Sequence, residues 1–122
     1  MVVFTLVVCT EPYKFEALDT MLNLGQAILD KGHKILGIFF YGSGVYSVKR
    51  EINVSQEMRD LPKRLEDFVN KNGMGLSACS TWMNFTGLKT EELVKSACQV
   101  GLGGLSEWMA ESDKVIVFGP GG

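Results

Sequence analysis

The chain has 122 residues, 46% hydrophobic and 21% charged, with a net charge of −2. That length suits a single domain spanning residues 1–122, with a core that needs no staples. A mildly acidic balance leaves no electrostatic footprint for nucleic acid or an anionic membrane surface. The three cysteines lack a CxxC pair, and their wide spacing argues against both a disulfide framework and a metal knuckle. Reduced thiols in a cytoplasmic protein are therefore expected, and no cofactor or metal is called for.

Val2 to Cys9 is a continuous β-branched and aromatic run. It is too short and too poor in basic residues for a signal peptide or a membrane span. Unbroken apolarity suits a strand covered on both faces, as in a parallel sheet. Thr10-Glu11-Pro12-Tyr13 ends it. From Phe15 to Lys31, Leu18, Met21, Leu22, Gly25, Ile28 and Leu29 recur at helical spacing and predict an amphipathic helix. Gly32 is placed for its left-handed cap. His33, the single histidine, follows and is read as a helix-end residue favoured by the dipole.

Ile35 to Tyr41 predicts the second buried strand. Gly42-Ser43-Gly44 opens a long connection to Asp60. The glycines could cradle a phosphate, but this is a fragment of a nucleotide fingerprint and follows the wrong strand. Connections of that length are usually functional or mobile. The next helix is predicted from Leu61, with Asp60 as N-cap, Pro62 in the first turn and Asn72-Gly73 at its end. Met74 to Cys79 predicts the third strand, with a helix able to start directly after it. Trp82, Met83 and Phe85 follow as core or contact residues. Thr90-Glu91-Glu92 reads as a further helix start, carrying Leu93, Val94, Ala97 and Cys98 up to the glycines at 101, 103 and 104. Leu105, Trp108 and Met109 mark a last short helix, Lys114 to Phe118 a last strand, and residues 119–122 a loose tail.

Strands alternating with helices imply an α/β fold, a mainly parallel sheet of four to five strands with helices on both faces. In such sheets, reacting groups gather beyond the carboxyl ends of the strands. That edge collects Cys9 to Lys14, Tyr41 to Tyr46 and Cys79 to Trp82. His33 falls at the opposite edge, so a Cys79–His33 dyad for acyl transfer is disfavoured. No HExxH or GxSxG motif replaces it. A thiol at a helix start favours its thiolate. Without base, partner cysteine or metal, what it can do is attack another sulfur. The alternative for Cys79 is a packed, inert thiol.

Four segments carry a resemblance. They are Phe39-Phe40-Tyr41-Gly42-Ser43-Gly44-Val45-Tyr46, Gly75-Leu76-Ser77-Ala78-Cys79, Gly101-Leu102-Gly103-Gly104-Leu105-Ser106-Glu107 and Asp113-Lys114-Val115-Ile116-Val117-Phe118. In this order they resemble the DsrE/TusD-like sulfurtransferase family. The resemblance implies a three-layer α/β/α, flavodoxin- or Rossmann-like domain. It also implies a persulfide carrier in a sulfur relay of the tRNA-thiolation or sulfur-oxidation type. Cys79 would be the sulfur-accepting residue, with Ser80, Tyr41, Tyr46 and Lys14 as assistants. Donor and acceptor carrier proteins and a homo- or hetero-oligomer of related subunits are implied partners, with no direct contact to nucleic acid. Trp82, Met83 and Phe85 make the segment after the cysteine bulkier than the family pattern. Two other readings use the same edge: a small-ligand or nucleotide-binding module, and a structural subunit without chemistry.

Overall fold

Five strands form one parallel sheet: β1 (Val3–Val8), β2 (Lys34–Phe40), β3 (Gly75–Cys79), β4 (Cys98–Val100) and β5 (Lys114–Phe118). Their order is β4-β3-β2-β1-β5, so the chain steps outward from β1 through β4 and then crosses back to β1's other side. The structure, a computed structural model, describes residues 1–52, 54 and 58–119. Residues 120–122 of the expected glycine tail, and 53 and 55–57 of the long connection, lie outside the described residues.

Helices α1 (Ala17–Asp30) and α2 (Leu61–Asn72) cover one face of the sheet, and α4 (Leu102–Glu111) the other; α3 (Ser80–Thr86) follows β3 directly. The α/β expectation with parallel strands holds. The two layers can be read along β2. Ile35 lies beneath Gly25 of α1, beside Phe68 of α2, whereas Gly37 and Phe39 meet Trp108 of α4. Those three β2 residues have the same parity, and one extra residue in β2 explains the switch: Phe4 pairs with Ile35 but Thr5 with Gly37. Such a bulge moves the side chains that follow it to the other face. A Cβ on Gly37 would stand 2.3 Å from Trp108 Cη2, and one on Gly75 2.8 Å from Trp108 Cζ2. The two glycines thus form the trough that seats the indole. Phe39 and Phe40 are fully buried on opposite faces, each burial being worth about 1.5–3 kcal/mol before entropy is counted.

The caps follow the sequence. Lys63 N–H donates to Asp60 Oδ1 (3.2 Å), Pro62 sits in the first turn of α2, and Gly73 ends it at φ 62°. Gly32 closes the end of α1 at φ 83°, donating to the Leu29 carbonyl.

Two expectations are corrected. The helix predicted from Thr90 is only a 3-10 turn, Thr90–Glu92. Glu92 Oε1 accepts from Lys89 N–H (3.0 Å), which closes that turn and no more. The chain then extends, burying Leu93 and Val94 and donating from Val94 N–H to the Val48 carbonyl (2.8 Å). A short helix has little stability of its own, and here a sheet edge and a buried pair outweigh it. Cys98 therefore lies on edge strand β4, exposed, rather than on a helix. Secondly, Gly103 and Gly104, expected as breakers ahead of the last helix, belong to its first turn. A Cβ on Gly104 would stand 2.2 Å from Val100 Cγ1, so glycine there lets α4 lie close against β4.

Candidate functional site

The carboxyl edge of the sheet is assembled by register. Val8 pairs with Phe40, and Phe40 with Ala78, so Cys9 and Tyr41, the first residues past their strands, lie in one row with Cys79, the last residue of β3 and still paired with Val100. Tyr41 N–H still donates to the Val8 carbonyl (2.9 Å) and Cys9 N–H to that of Phe118 (2.8 Å). Cys9 and Cys79 are two strand spacings apart, about 10 Å between backbones. A direct disulfide needs Cα atoms within about 7 Å, so the two thiols are separate groups.

Cys79 is completely buried. Its backbone is extended (φ −64°, ψ 119°) and Ser80 begins α3. That helix has 7 residues, so any field it offers comes from the amides of its first turn. Ser80 is half-buried, and its hydroxyl faces Gly101, at the start of α4, where an added Cβ would lie 3.7 Å from Oγ. Trp82 stands edge-on to Tyr41 (centroids 5.7 Å, 73°) and to Phe85 (5.4 Å, 89°). This aromatic series runs from the sheet edge to Phe85, which is 72% exposed, while Met83 points the other way into the core.

The remaining candidates share the edge but are differently engaged. Lys14 is ion-paired with Glu11 (3.2 Å) and lies over the Phe15 ring (5.9 Å). Tyr46 is exposed and lines a groove of about 290 Å³ with Pro12, Tyr13 and Lys49. Cys9 is half-buried, and burial raises its thiol above the ordinary pKa. It lines an apolar groove of about 330 Å³ between the sheet and α4, beside Tyr41, Leu102 and Met109. His33 is at the other end of the sheet, its Nδ1 accepting from Val2 N–H (3.0 Å). A thiol–imidazole dyad is thereby ruled out by position, as expected.

The long connection starts as a 3-10 strap, Gly42–Val48, which packs on β2, β3 and α3. Val45 and Val48 are completely buried, and so is nearly all of Ser47. The glycines have packing reasons. Gly42 turns the chain at φ 63°, and a Cβ on Gly44 would meet the Val8 carbonyl oxygen at 2.3 Å. Ser43 Oγ donates to Glu11 Oε2 (2.5 Å), and this bond is the first cause of a Glu11 pKa below the usual carboxylate value. A carboxylate here would repel a phosphate, which removes the support those glycines gave to nucleotide binding.

Sequence reasoning did not find the Glu11–Ser43 bond, which joins residues 32 positions apart. The signal was present in topology: both leave neighbouring strands at the same edge. It also missed the conformation of the β1–α1 loop, where Tyr13 (φ 70°), Phe15 (φ 56°) and Glu16 (φ 54°) are all left-handed. Tyr13 is tied down by its hydroxyl, which donates to the Arg59 carbonyl (2.5 Å) and accepts from Leu61 N–H (3.2 Å).

Comparison with known proteins gives consistent matches. A family model described as the DsrE/DsrF-like family matches residues 2–118. A provisionally named sulfurtransferase DsrE from Allochromatium vinosum is 28% identical over 127 residues, covering 95% of this chain and 98% of its own. Sulfurtransferase TusD from Cronobacter sakazakii is 26% identical, covering 94% of this chain and 98% of its own. Among solved structures, the ychN protein from E. coli superposes with a TM-score of 0.84 at 22% identity, over 97% of this chain and 100% of that one.

Proposed function

Because the chain belongs to the DsrE/DsrF-like family, we propose that it is a sulfurtransferase that carries sulfane sulfur as a persulfide on Cys79. One observation carries the reading: of the three free cysteines, Cys79 is the one at the junction of an inner strand and a helix, at the edge where such sheets do chemistry. The relatives' names, sulfurtransferase DsrE and sulfurtransferase TusD, support the class of reaction.

The Cys79 thiolate attacks the outer sulfur of a donor protein's cysteine persulfide. The new bond joins Cys79 Sγ to that sulfur, the donor's S–S bond breaks, and the donor leaves as a thiolate. An acceptor thiolate then attacks the same outer sulfur, and Cys79 departs as a thiolate. The sulfane sulfur keeps its oxidation level, so no external oxidant or reductant is needed. On this reading, amides of the first turn of α3 and the Ser80 hydroxyl would stabilise the anion. Tyr41, Tyr46 and Lys14 would act from the rim, Lys14 only after leaving Glu11.

The partners on this reading are donor and acceptor carrier proteins, which would dock over the exposed Phe85 and its aromatic series. Leu102, Met109 and Val117 are 47%, 48% and 62% exposed, which supports contact with further subunits, identical or related. We take residues 1–122 as one DsrE-like domain working in the cytoplasm. Among the described residues no helix is long and apolar enough to cross a membrane. The test is the mass of the intact protein after incubation with a persulfide donor. One added sulfur atom is expected on the parent chain and on Cys98→Ser, and none on Cys79→Ser. Loading that survives Cys79→Ser refutes the assignment.

A further inference from the structure

Cys79 has no exposed surface, yet an exchange between proteins requires two other sulfurs to reach it in turn. Some element at the carboxyl edge must move. The strap packs on both the strand that ends at Cys79 and the helix that begins after it. Its two ends are held differently. The far end is tied by backbone: Val94 N–H to the Val48 carbonyl (2.8 Å), Arg50 N–H to that of Glu92 (2.7 Å), and the Lys49–Leu93 bridge. The near end turns on Gly42 at φ 63°, keeps among the described residues only a local backbone bond, Gly44 N–H to the Tyr41 carbonyl (3.1 Å), and is tied across to the β1–α1 loop by Ser43 Oγ donating to Glu11 Oε2 at 2.5 Å. Glu11 is itself pinned by Lys14 at 3.2 Å. The strap also carries a buried polar atom: Ser47 is 1% exposed, and its Oγ has no hydrogen-bond partner among the described residues. An unpaired buried hydroxyl disfavours the closed state relative to one in which water reaches it.

Resting on the proposed role of Cys79, we infer that the strap Gly42–Val48 is a gate over this thiol, and that Glu11 and Ser43 are positioning residues that clasp it shut. Opening swings the strap about its backbone-tied end, exposes Cys79 to a second sulfur and wets Ser47. Lys14 has a part in the clasp, because a partner carboxylate that draws it off Glu11 loosens the hold on Ser43. The clasp is part-buried, and opening must also uncover Val45 and Val48, so the closed state is the resting one and opening is a local, infrequent event.

The test is the rate at which iodoacetamide alkylates Cys79, read by peptide mass, in the full chain. It requires no sulfur donor, so its failure is separable from failure of the sulfurtransferase reading. Three outcomes support the gate. The parent Cys79 reacts far more slowly than the exposed Cys98. Ser43→Ala and Glu11→Gln each raise its rate by roughly three- to tenfold. Their melting temperatures stay close to the parent's. Arg59→Ala serves as the control, since it removes an exposed ion pair to Asp19 (2.6 Å) away from the strap; it should leave the Cys79 rate unchanged. The inference is overturned if neither clasp variant changes the rate. It is equally overturned if Arg59→Ala raises the rate as much, because the thiol is then reached through global unfolding.

Discussion

The two edges of the sheet solve the same problem with different means. At the amino edge, polar ends are closed by short, satisfied pairings: Val3 N–H to Asp113 Oδ2 (2.8 Å), Asp113 N–H to the Val3 carbonyl (2.8 Å), and Val2 N–H to His33 Nδ1 (3.0 Å). Where the chain must turn left-handed there, it uses Gly32 and Gly73. At the carboxyl edge Gly42 also serves in this way, but the same conformation is in addition forced on Tyr13, Phe15 and Glu16. Each such residue costs about 1–2 kcal/mol relative to glycine. The carboxyl edge also keeps the thiol of Cys79, the strap and the exposed aromatics. One edge is built for closure; the other retains strained backbone beside the thiol proposed to carry sulfur.

The largest effect expected is at the sheet between the two edges. Gly37→Val would drive a branched side chain into Trp108, where even a Cβ stands 2.3 Å away. A loss of about 3 kcal/mol or more is expected from overpacking, seen as a much lower urea midpoint. If the midpoint hardly moves, the trough for Trp108 is not tight and the layer assignment fails. Next, Asp113→Ala should cost about 1–2 kcal/mol through the unpaired Val3 amide while leaving sulfur loading intact. A comparable loss of loading would break the division between the edges.

Glu16→Gly should act in the opposite sense, raising stability by up to about 1 kcal/mol as the left-handed strain is relieved, and Gly73→Ala should lower it by about 1 kcal/mol. Denaturant melts of the pair would sharpen the comparison, and a destabilised Glu16→Gly would contradict the strain. Smallest is the pH effect at the clasp. Glu11 is held below the ordinary carboxylate pKa, chiefly by Ser43. Its stabilisation is therefore present above the ordinary carboxylate range and lost as pH falls through its depressed value. Glu11→Gln should slightly flatten the acid limb of stability against pH, with little change near neutrality beyond a constant offset. Cys9 gives the converse sign: burial raises its pKa, so stability drawn from the neutral thiol is lost as pH rises through that raised value. Iodoacetamide should modify Cys9 more slowly than Cys98 at mildly alkaline pH.

Much of this was legible in the chain, because the signals were local. Continuous apolar runs gave β1, β2 and β5; helical spacing with Asp60, Pro62, Gly32 and Gly73 gave α1 and α2 with their ends. The sheet-edge rule then put Cys79 and Tyr41 together and His33 apart. The failures lie where a tertiary contact overrides a local preference. Thr90-Glu91-Glu92 carries helix-start chemistry, but Leu93 and Val94 gain more from burial under the strap than from another turn. Gly103 and Gly104 look like breakers because the reason for Gly104 is Val100 on a neighbouring strand. The complete burial of Cys79 is what the packed-thiol alternative expected, and the strap that packs on β3 and α3 beside it comes from more than thirty positions earlier in the chain.

The central claim is that Cys79, and not its neighbour in the row, takes the sulfur. Intact mass after incubation with a persulfide donor, across Cys9→Ser, Cys79→Ser and Cys98→Ser, tests it most directly. The account predicts one added sulfur atom on Cys9→Ser and Cys98→Ser and none on Cys79→Ser. A Cys79→Ser protein that still gains the atom, beside a Cys9→Ser protein that does not, would contradict it.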